Sequence, residues 1–386
     1  MKLRTIGLFA ALLAAAVPAA RFVARWLGMH EPELLETDYM RYVASSLIGL
    51  RFGWSRLYDP EAQRQVAHSL GDIFWMPNVY TPALSLAMTP FTVLSLNHGF
   101  FLWSLLMLAS VVVAWRILAP GDAKVKALEL AMFFVPYPVA LGLTEGQVLP
   151  LQIAFVAISY LLLRAGRDLA AGAVLACIAL KPQGLLLVPF ALLAIGKRRA
   201  FLGWVAAMAV AGVAVLAAIG IDGTRAWIDR MRWASANPQA LWVAWSYTLS
   251  RRFKSPIAGA VADLAAVAVT LVAARRHRRS VEIAYAAGIV GSVLSSPYLH
   301  LYDLTLLIPA AWLFLRAVPG PATVVALLVG YAAMIVAQSY TIGGRWVLLF
   351  ECLWLPAMAL LPARLIAHSP PGPVRGNDPE CASSSP

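Results

Sequence analysis

Residues 200–220 read AFLGWVAAMAVAGVAVLAAIG and directly follow the basic triplet Lys197-Arg198-Arg199. An uncharged apolar run of about 20 residues is the length that an α-helix needs to cross a bilayer. Comparable runs recur along the chain, which is 61% hydrophobic and 13% charged, with a mean hydropathy of +0.73. Soluble domains carry about a quarter charged residues. The sequence therefore predicts an all-α polytopic membrane protein.

The apolar runs predict four regions of the chain. We expect a first transmembrane helix at 1–28, an extracytoplasmic loop at 29–78, a multi-helix transmembrane domain at 79–367 and a disordered cytoplasmic tail at 368–386. A secretory signal over residues 1–20 is the alternative for the first region. The apolar segments after the loop cover approximately 79–97, 100–118, 127–143, 147–164, 168–180, 184–195, 200–220, 256–274, 281–297, 301–317, 321–340 and 346–364.

The basic residues predict how the chain crosses the membrane. The net charge is +12, and short basic clusters such as 197–199 and 275–279 stand between the apolar runs. Cytoplasmic loops carry such an excess. The clusters fall on one side if 127–143 is re-entrant or interfacial, which predicts about twelve crossings and both termini in the cytoplasm. No soluble basic domain is present, so nucleic acid is not an expected partner.

One outer loop differs from all the others in composition. Residues 30–78 contain more than a third of the acidic residues of the chain. Apolar residues at helical spacing from Tyr39 to Leu50 predict an interfacial helix within this loop. The predicted topology places further polar stretches on the same side, at 144–147, 181–183, 221–245 and 295–303. We therefore expect a functional site on the extracytoplasmic face.

Lys181 is the most unusual residue of the apolar segments. An ionisable group at membrane depth costs roughly 2.5–3.5 kcal/mol on insertion scales and is a functional candidate by default. Pro182 should break the helix there, and Gln183 follows it. A lysine at such a break could bind a phosphate, whereas a lysine that extends to the interface is the structural alternative.

Other polar residues interrupt the apolar pattern near helix ends. His300 and Asp303 share one face of a predicted helix start, where they could contact phosphate, sugar hydroxyls or each other. Asp303 could equally be an acid that stabilises the helix N-terminus. Gln147 follows Gly146, so it could approach a sugar closely or merely form a turn. Asp38, with Arg41 on the same helix face, could be a general base, or it could be a helix cap or an acid of the first helical turn.

Several classes of site are missing from the sequence. There is no glycine-rich phosphate loop and no G-x-G-x-x-G motif after a strand. Cys177, Cys352 and Cys381 have neither metal-ligand nor disulfide spacing. We expect no metal and no cofactor. If a sugar donor is used, a lipid-linked one suits a chain that is nearly all membrane.

An ordered set of short motifs resembles glycosyltransferase family 87. The set runs through Asp38, Gly49, Leu57-Tyr58-Asp59, Tyr80-Thr81-Pro82, Gly146-Gln147, Leu180-Lys181-Pro182-Gln183, Ser296-Pro297 and His300. That family includes polyprenol-phosphate-mannose-dependent mannosyltransferases of the GT-C superfamily. One departure is Thr81-Pro82, where the family usually has two prolines.

The resemblance implies a GT-C-type fold with an extracytoplasmic active site in the plasma (bacterial inner) membrane. It also implies a polyprenyl-phosphate sugar donor, a lipid or glycan acceptor and a catalytic carboxylate at Asp38. We expect Lys181 and His300 to bind the donor phosphate. The expected substrate-binding residues are Arg41, Gln147, Gln183, Tyr302 and Asp303. A transporter or flippase of lipid-linked saccharides is the alternative function.

Overall fold

The computed structural model describes residues 20, 23–29, 31–71, 78–236, 244–337 and 343–366, and all regular elements in these ranges are helices. The α-helices before residue 190 are Glu31–Leu35, Asp38–Phe52, Pro60–Ser69, Pro82–Ala87, Leu96–Leu118, Ala123–Phe133, Tyr137–Thr144, Leu149–Arg164, Asp168–Val174 and Leu187–Ala194. Those that follow are Arg198–Ala236, Trp245–Phe253, Pro256–Arg276, Val281–Leu294, Leu307–Ala317, Pro321–Val336 and Gly343–Leu360. Short 3₁₀ helices link them at Trp54–Arg56, Thr89–Val93, Leu175–Leu180, Pro182–Gly184, Leu301–Leu306 and Ala363–Leu365.

Three of the described helices are long and apolar enough to cross a membrane: Leu96–Leu118, Arg198–Ala234 and Pro256–Arg276. A fourth span results if Ala123–Phe133 and Tyr137–Thr144 are taken together, although the two are bent by 66°. This bent pair coincides with the segment expected to be re-entrant or interfacial. The chain is therefore a helical protein with several candidate spans. The predicted number of about twelve is not established, because several apolar runs form helices of 10–17 residues.

Two predicted elements differ from the structure. The run 79–97 is not one helix, because Pro82 begins the short helix Pro82–Ala87 and Pro90 is the second residue of another, Thr89–Val93. The polar stretch expected as an outer loop from residue 221 instead continues the preceding helix to Ala236, across a kink where Gly220 has a φ of 67°. Proline and glycine thus decide both outcomes through the backbone.

Two predicted regions lie largely outside the described residues. Of the predicted first helix, the structure describes residues 20 and 23–28, and residues 23–27 are helical. The predicted tail at 368–386 lies entirely outside the described part of the chain. Both remain predictions.

The expected helix of the acidic loop is present as Asp38–Phe52, but most of it is buried rather than lying along a surface. Its first half joins the main core. Its second half belongs to a small cluster in which Ile48, Leu57 and Tyr58 pack near Trp227. The loop therefore covers one end of the helical domain, and the helix start is held inside the protein.

Candidate active site

The Asp38–Phe52 helix places its first residue in the protein interior. Thr37 caps the helix, because its hydroxyl accepts a hydrogen bond from the Met40 amide at 3.2 Å. Asp38 therefore stands in the first turn and is not the cap, so of the two structural alternatives the first-turn acid is the one that the structure shows. It is 3% exposed. A carboxylate at a helix N-terminus is stabilised by the helix dipole.

Three donors surround the carboxylate of Asp38. Its Oδ1 accepts hydrogen bonds from Arg41 Nη1 at 2.6 Å and from the Tyr80 hydroxyl at 2.5 Å. Its Oδ2 accepts a hydrogen bond from Gln147 Nε2. Burial alone would raise the pKa of Asp38, but the charge of Arg41 and the Tyr80 hydrogen bond outweigh it and hold that pKa below its ordinary value. The surroundings of Asp38 thus favour its charged form.

A tight turn brings Gln147 against the Asp38 helix. Gly146 has a φ of +67°, a conformation that residues with a side chain rarely adopt. A Cβ added at Gly146 would lie 2.6 Å from Cβ of Tyr39. The Tyr39 amide donates to the Glu145 carbonyl at 2.9 Å, and Trp103 Nε1 donates to the Gly146 carbonyl at 2.7 Å. Glycine is required here because the two segments meet backbone to backbone.

Gln147 connects two parts of the site. Its side chain donates to Asp38, while its Oε1 accepts hydrogen bonds from the Tyr42 hydroxyl at 3.1 Å and from Lys181 Nζ at 3.0 Å. The residue is fully buried. The amide therefore bridges a carboxylate and an ammonium group that lie far apart in the sequence.

Lys181 stands at the predicted break between helices. The 3₁₀ helices Leu175–Leu180 and Pro182–Gly184 meet there, and the backbone of Lys181 is extended. Gln152 Nε2 holds the break by donating to the Lys181 carbonyl at 2.9 Å. Lys181 is 6% exposed, so its side chain does not extend to an interface as in the structural alternative. The helix is interrupted at Pro182, as predicted.

Asp303 forms an ion pair with Lys181. Its Oδ1 lies 2.5 Å from Lys181 Nζ, and its Oδ2 accepts a hydrogen bond from the His300 amide at 2.8 Å. Asp303 thus also caps the start of the Leu301–Leu306 helix, as the structural alternative expected. Lys181 Nζ further lies 4.4 Å from the ring centroid of Tyr302, a favourable cation–π contact.

His300 stands beside this pair. Its Nε2 forms a hydrogen bond with the Tyr298 hydroxyl at 2.7 Å, and its ring stacks on Tyr302 with 5.0 Å between centroids. Burial lowers the pKa of His300 below its ordinary value, although the charge of Asp303 acts against this. The Nδ1 atom is buried and has no hydrogen-bond partner among the described residues. It is an available contact for a bound group.

A polar cavity of about 330 Å³ lies next to the start of the Asp38 helix. Arg25, Glu33, Thr37 and Glu145 are among its lining residues. Burial and the nearby charge of Asp38 raise the pKa of Glu145 to about 7. The cavity therefore reaches Thr37, the cap of the Asp38 helix.

The predicted site residues fall into one connected group with one exception. Asp38, Arg41, Gln147, Lys181 and Asp303 are joined by hydrogen bonds, and His300 and Tyr302 contact the same group. The exception is Gln183, which is half-buried next to the break and has no hydrogen bond to this group in the part of the chain described.

Sequence reasoning missed the two tyrosines that complete the group. Tyr42 lies one helical turn after Asp38, a spacing that places both side chains on one face. This spacing could have indicated Tyr42 as a site residue. Tyr80 comes from a separate segment, and its ring packs edge-to-face on Tyr42 at 4.7 Å. In the sequence, only the family motif Tyr80-Thr81-Pro82 pointed to Tyr80.

The charges of the site are balanced in pairs. Arg41 neutralises Asp38 at 2.6 Å, and Lys181 neutralises Asp303 at 2.5 Å. Buried charges are tolerated when they are paired and hydrogen-bonded in this way. The described residues contain no group of three or more His, Cys, Asp or Glu side chains that could hold a metal ion. The arrangement offers Asp38 as a base on one side and Lys181 as a cation to bind an anion on the other.

Comparison with known proteins identifies the family. The family model described as glycosyltransferase family 87 matches residues 78–297, more than half of the chain. Comparisons with curated proteins and with solved structures gave no match. The matched range contains Tyr80, Gln147 and Lys181, whereas Asp38 lies well before it and His300 directly after it. The chain belongs to glycosyltransferase family 87.

Proposed function

We propose that this glycosyltransferase transfers a hexose from a polyprenyl-phosphate donor to a lipid or glycan acceptor, and that the hexose is mannose. Transfer takes place at the extracytoplasmic face of the plasma (bacterial inner) membrane, with inversion at the anomeric carbon. The proposed architecture is of the GT-C type, with about twelve crossings. The observation that carries the proposal is the buried chain of contacts from Asp38 through Gln147 to Lys181.

The proposed reaction needs one base and one cation. Asp38 takes the proton from an acceptor hydroxyl, and the acceptor oxygen forms a bond to the anomeric carbon from the side opposite the phosphate. The bond between the anomeric carbon and the phosphate oxygen breaks, and its electron pair stays with the polyprenyl phosphate. Protonated Asp38 then releases its proton to water. All atoms and charges are thereby accounted for.

Lys181 and His300 are proposed to bind the leaving phosphate. A fixed cation stabilises the charge that develops on the leaving group as its bond breaks. The buried Nδ1 of His300, without a partner among the described residues, suits a contact with a phosphate oxygen. A phosphate monoester leaves readily, so the proposal needs no general acid.

The remaining residues are proposed to hold the substrates and the base. Arg41 orients Asp38 through their ion pair. Gln183 and the aromatic ring of Tyr302 are available for sugar contacts. Both carboxylate oxygens of Asp303 are occupied by Lys181 and the His300 amide. Asp303 would thus not contact the substrate itself and would act on it only by holding Lys181 in place.

The test is a transfer assay on the purified protein in lipid nanodiscs. It would contain labelled polyprenyl-phosphate-mannose and a membrane lipid extract, and the product would be identified by mass spectrometry. We expect a new mannoside in the wild type and none with Asp38→Asn. Asp59→Asn is the matched control, because Asp59 lies in the same loop but forms an exposed pair with Arg56.

Two results would contradict the proposal. Substantial transfer by a correctly inserted Asp38→Asn variant would remove Asp38 from its role. Movement of the labelled donor between leaflets without any new glycosidic bond would instead favour the flippase function.

A further inference from the structure

Two adjacent residues, Tyr80 and Thr81, contact both charged parts of the site. The Tyr80 hydroxyl donates to Oδ1 of Asp38 at 2.5 Å. The Thr81 hydroxyl donates to the Leu180 carbonyl at 3.0 Å, and Leu180 directly precedes Lys181. These contacts join positions that are 42 and 99 residues apart in the chain. The pair Tyr80-Thr81 therefore links the base to the backbone that carries the ammonium group.

The backbone of Tyr80 is itself held on both sides. The Tyr58 hydroxyl donates to the Tyr80 carbonyl at 2.6 Å, and the Tyr80 amide donates to Oδ1 of Asn78 at 3.0 Å. Both partners are buried. The Asn78 amide donates in turn to Oε1 of Gln63 at 3.1 Å. A residue whose amide and carbonyl are both bonded to buried side chains has little freedom to move.

The short helix that follows Thr81 is fixed to the Asp38–Phe52 helix. The hydroxyls of Ser85 and Ser45 lie 2.9 Å apart, and the Ser85 carbonyl accepts a hydrogen bond from the Ser46 hydroxyl at 2.5 Å. All three serines are buried. Thr81, at the start of the short helix, thus has a fixed place relative to the helix that carries the base.

The Leu180 carbonyl stands at the helix break. The last carbonyls of a helix have no partner within it, and the 3₁₀ helix Leu175–Leu180 ends at this residue. Thr81 supplies a donor to this carbonyl, as Gln152 does to the carbonyl of Lys181 at 2.9 Å. A proline, which the family motif usually has in place of Thr81, carries no hydroxyl and could not make the contact. The contact is therefore a feature of this chain.

We propose that Thr81 is a positioning residue that fixes Lys181 relative to Asp38. The pair Tyr80-Thr81 thereby sets the distance between the base and the cation for the leaving phosphate. Such distances matter, because a misplacement of about 1 Å can reduce a rate by about 10²-fold. This inference rests on the proposed function, which gives Asp38 and Lys181 their roles in the reaction.

The test compares variants of Thr81 in the full-length protein in lipid nanodiscs. Thr81→Val removes the hydroxyl and keeps the branched shape of the side chain. We expect the Kd of labelled undecaprenyl phosphate to rise and the kcat of mannose transfer to fall, each on the order of tenfold, because one hydrogen bond that holds Lys181 in place is lost. Thr81→Ala, a second variant without the hydroxyl, should behave in the same way. Thr81→Ser keeps the hydroxyl and should behave like the wild type.

Loss of a helix cap is controlled separately. The Thr81 hydroxyl also accepts a hydrogen bond from the Leu84 amide at 3.3 Å and so caps the short helix. Removing a cap lowers stability. Ser95→Ala is the matched control, because Ser95 caps the Leu96–Leu118 helix and its hydroxyl bonds only to His98 among the described residues. It should lower the transition temperature and leave the affinity for undecaprenyl phosphate unchanged.

Two further readouts separate a positioning role from a general structural one. In a Lys181→Met background, Thr81→Val should weaken lipid-phosphate binding no further, because the group that Thr81 positions is absent. Effects of independent residues would instead add. The acid limb of the pH profile of kcat/KM should coincide in Thr81→Val and the wild type, because Tyr80 still donates to Asp38.

The outcomes distinguish this inference from the proposed function. Wild-type binding and transfer in Thr81→Val and Thr81→Ala, no recovery in Thr81→Ser, or additive losses with Lys181→Met would each overturn the positioning role. If lipid-phosphate binding follows the expected pattern but no mannoside forms in the wild type, the proposed function fails and the positioning of Lys181 stands. Lack of any saturable binding to the wild type would overturn both.

Discussion

The buried pair of Lys181 and Asp303 allows a stringent test of the phosphate site. Their side chains are 7% and 1% exposed, and their charged atoms lie 2.5 Å apart. Lys181→Met would leave Asp303 as an unpaired buried carboxylate. Removing one partner of a buried pair costs about 3–5 kcal/mol, so the single variant should be clearly less stable. Loss of activity in that variant alone would therefore not identify a role in the reaction.

The double variant Lys181→Met/Asp303→Asn removes both charges together. Replacing a whole buried pair by neutral residues is often close to neutral in stability, and the Asn side chain can still accept a hydrogen bond from the His300 amide. We therefore expect the double variant to recover most of the stability that the single variant loses. Its transfer rate should remain reduced by a factor on the order of 10² to 10³, because the cation that stabilises the leaving phosphate is absent.

Thermal unfolding in nanodiscs and the rate of mannose transfer would be measured for all variants. Asp303→Asn alone completes the cycle, because it keeps Lys181 and its contact with Gln147. It should transfer more rapidly than the double variant. A double variant that is as stable as the wild type and also nearly as active would refute the assignment of Lys181 to the phosphate.

Two further predictions concern the surroundings of Asp38. Tyr80→Phe removes a hydrogen bond that lowers the pKa of Asp38, so that pKa should rise. The acid limb of the pH profile of kcat/KM should move to higher pH by the same amount, and superimposable profiles would contradict this. Gly146→Ala adds a Cβ 2.6 Å from that of Tyr39 at a φ of +67°, so both the transition temperature and transfer should decrease. Gly212→Ala is its control, because among the described residues the added Cβ would meet no atom within 4 Å beyond its chain neighbours and its own helix backbone. Equal effects of the two would contradict the reasoning.

The pattern of apolar runs and helix breakers predicted much of the local structure. The helix break at Lys181 and the helix near Asp38 both follow from proline and residue spacing. The run 79–97 was predicted wrongly because its apolar composition masked two prolines that each lie in the first turn of a new short helix. Composition measures how apolar a segment is, whereas proline acts on the backbone itself.

The candidate site was predicted residue by residue but not as a network. Asp38 and Arg41 are three residues apart on one helix, so their ion pair follows from helix geometry. The Asp38–Gln147 contact joins residues 109 positions apart, and the Lys181–Asp303 pair joins residues 122 positions apart. Nothing in local spacing indicates such partners.

The sequence alone determined that this chain is helical, apolar enough for a membrane and provided with a few ionisable residues that need partners. Those properties depend on single residues and their close neighbours, and they are therefore readable along the chain. Only the tertiary structure decided which partners meet, because helix packing brings the first turn of one helix, a glycine turn and a broken helix together. The buried charges are stable only in that arrangement, since each needs its counterion within hydrogen-bond distance.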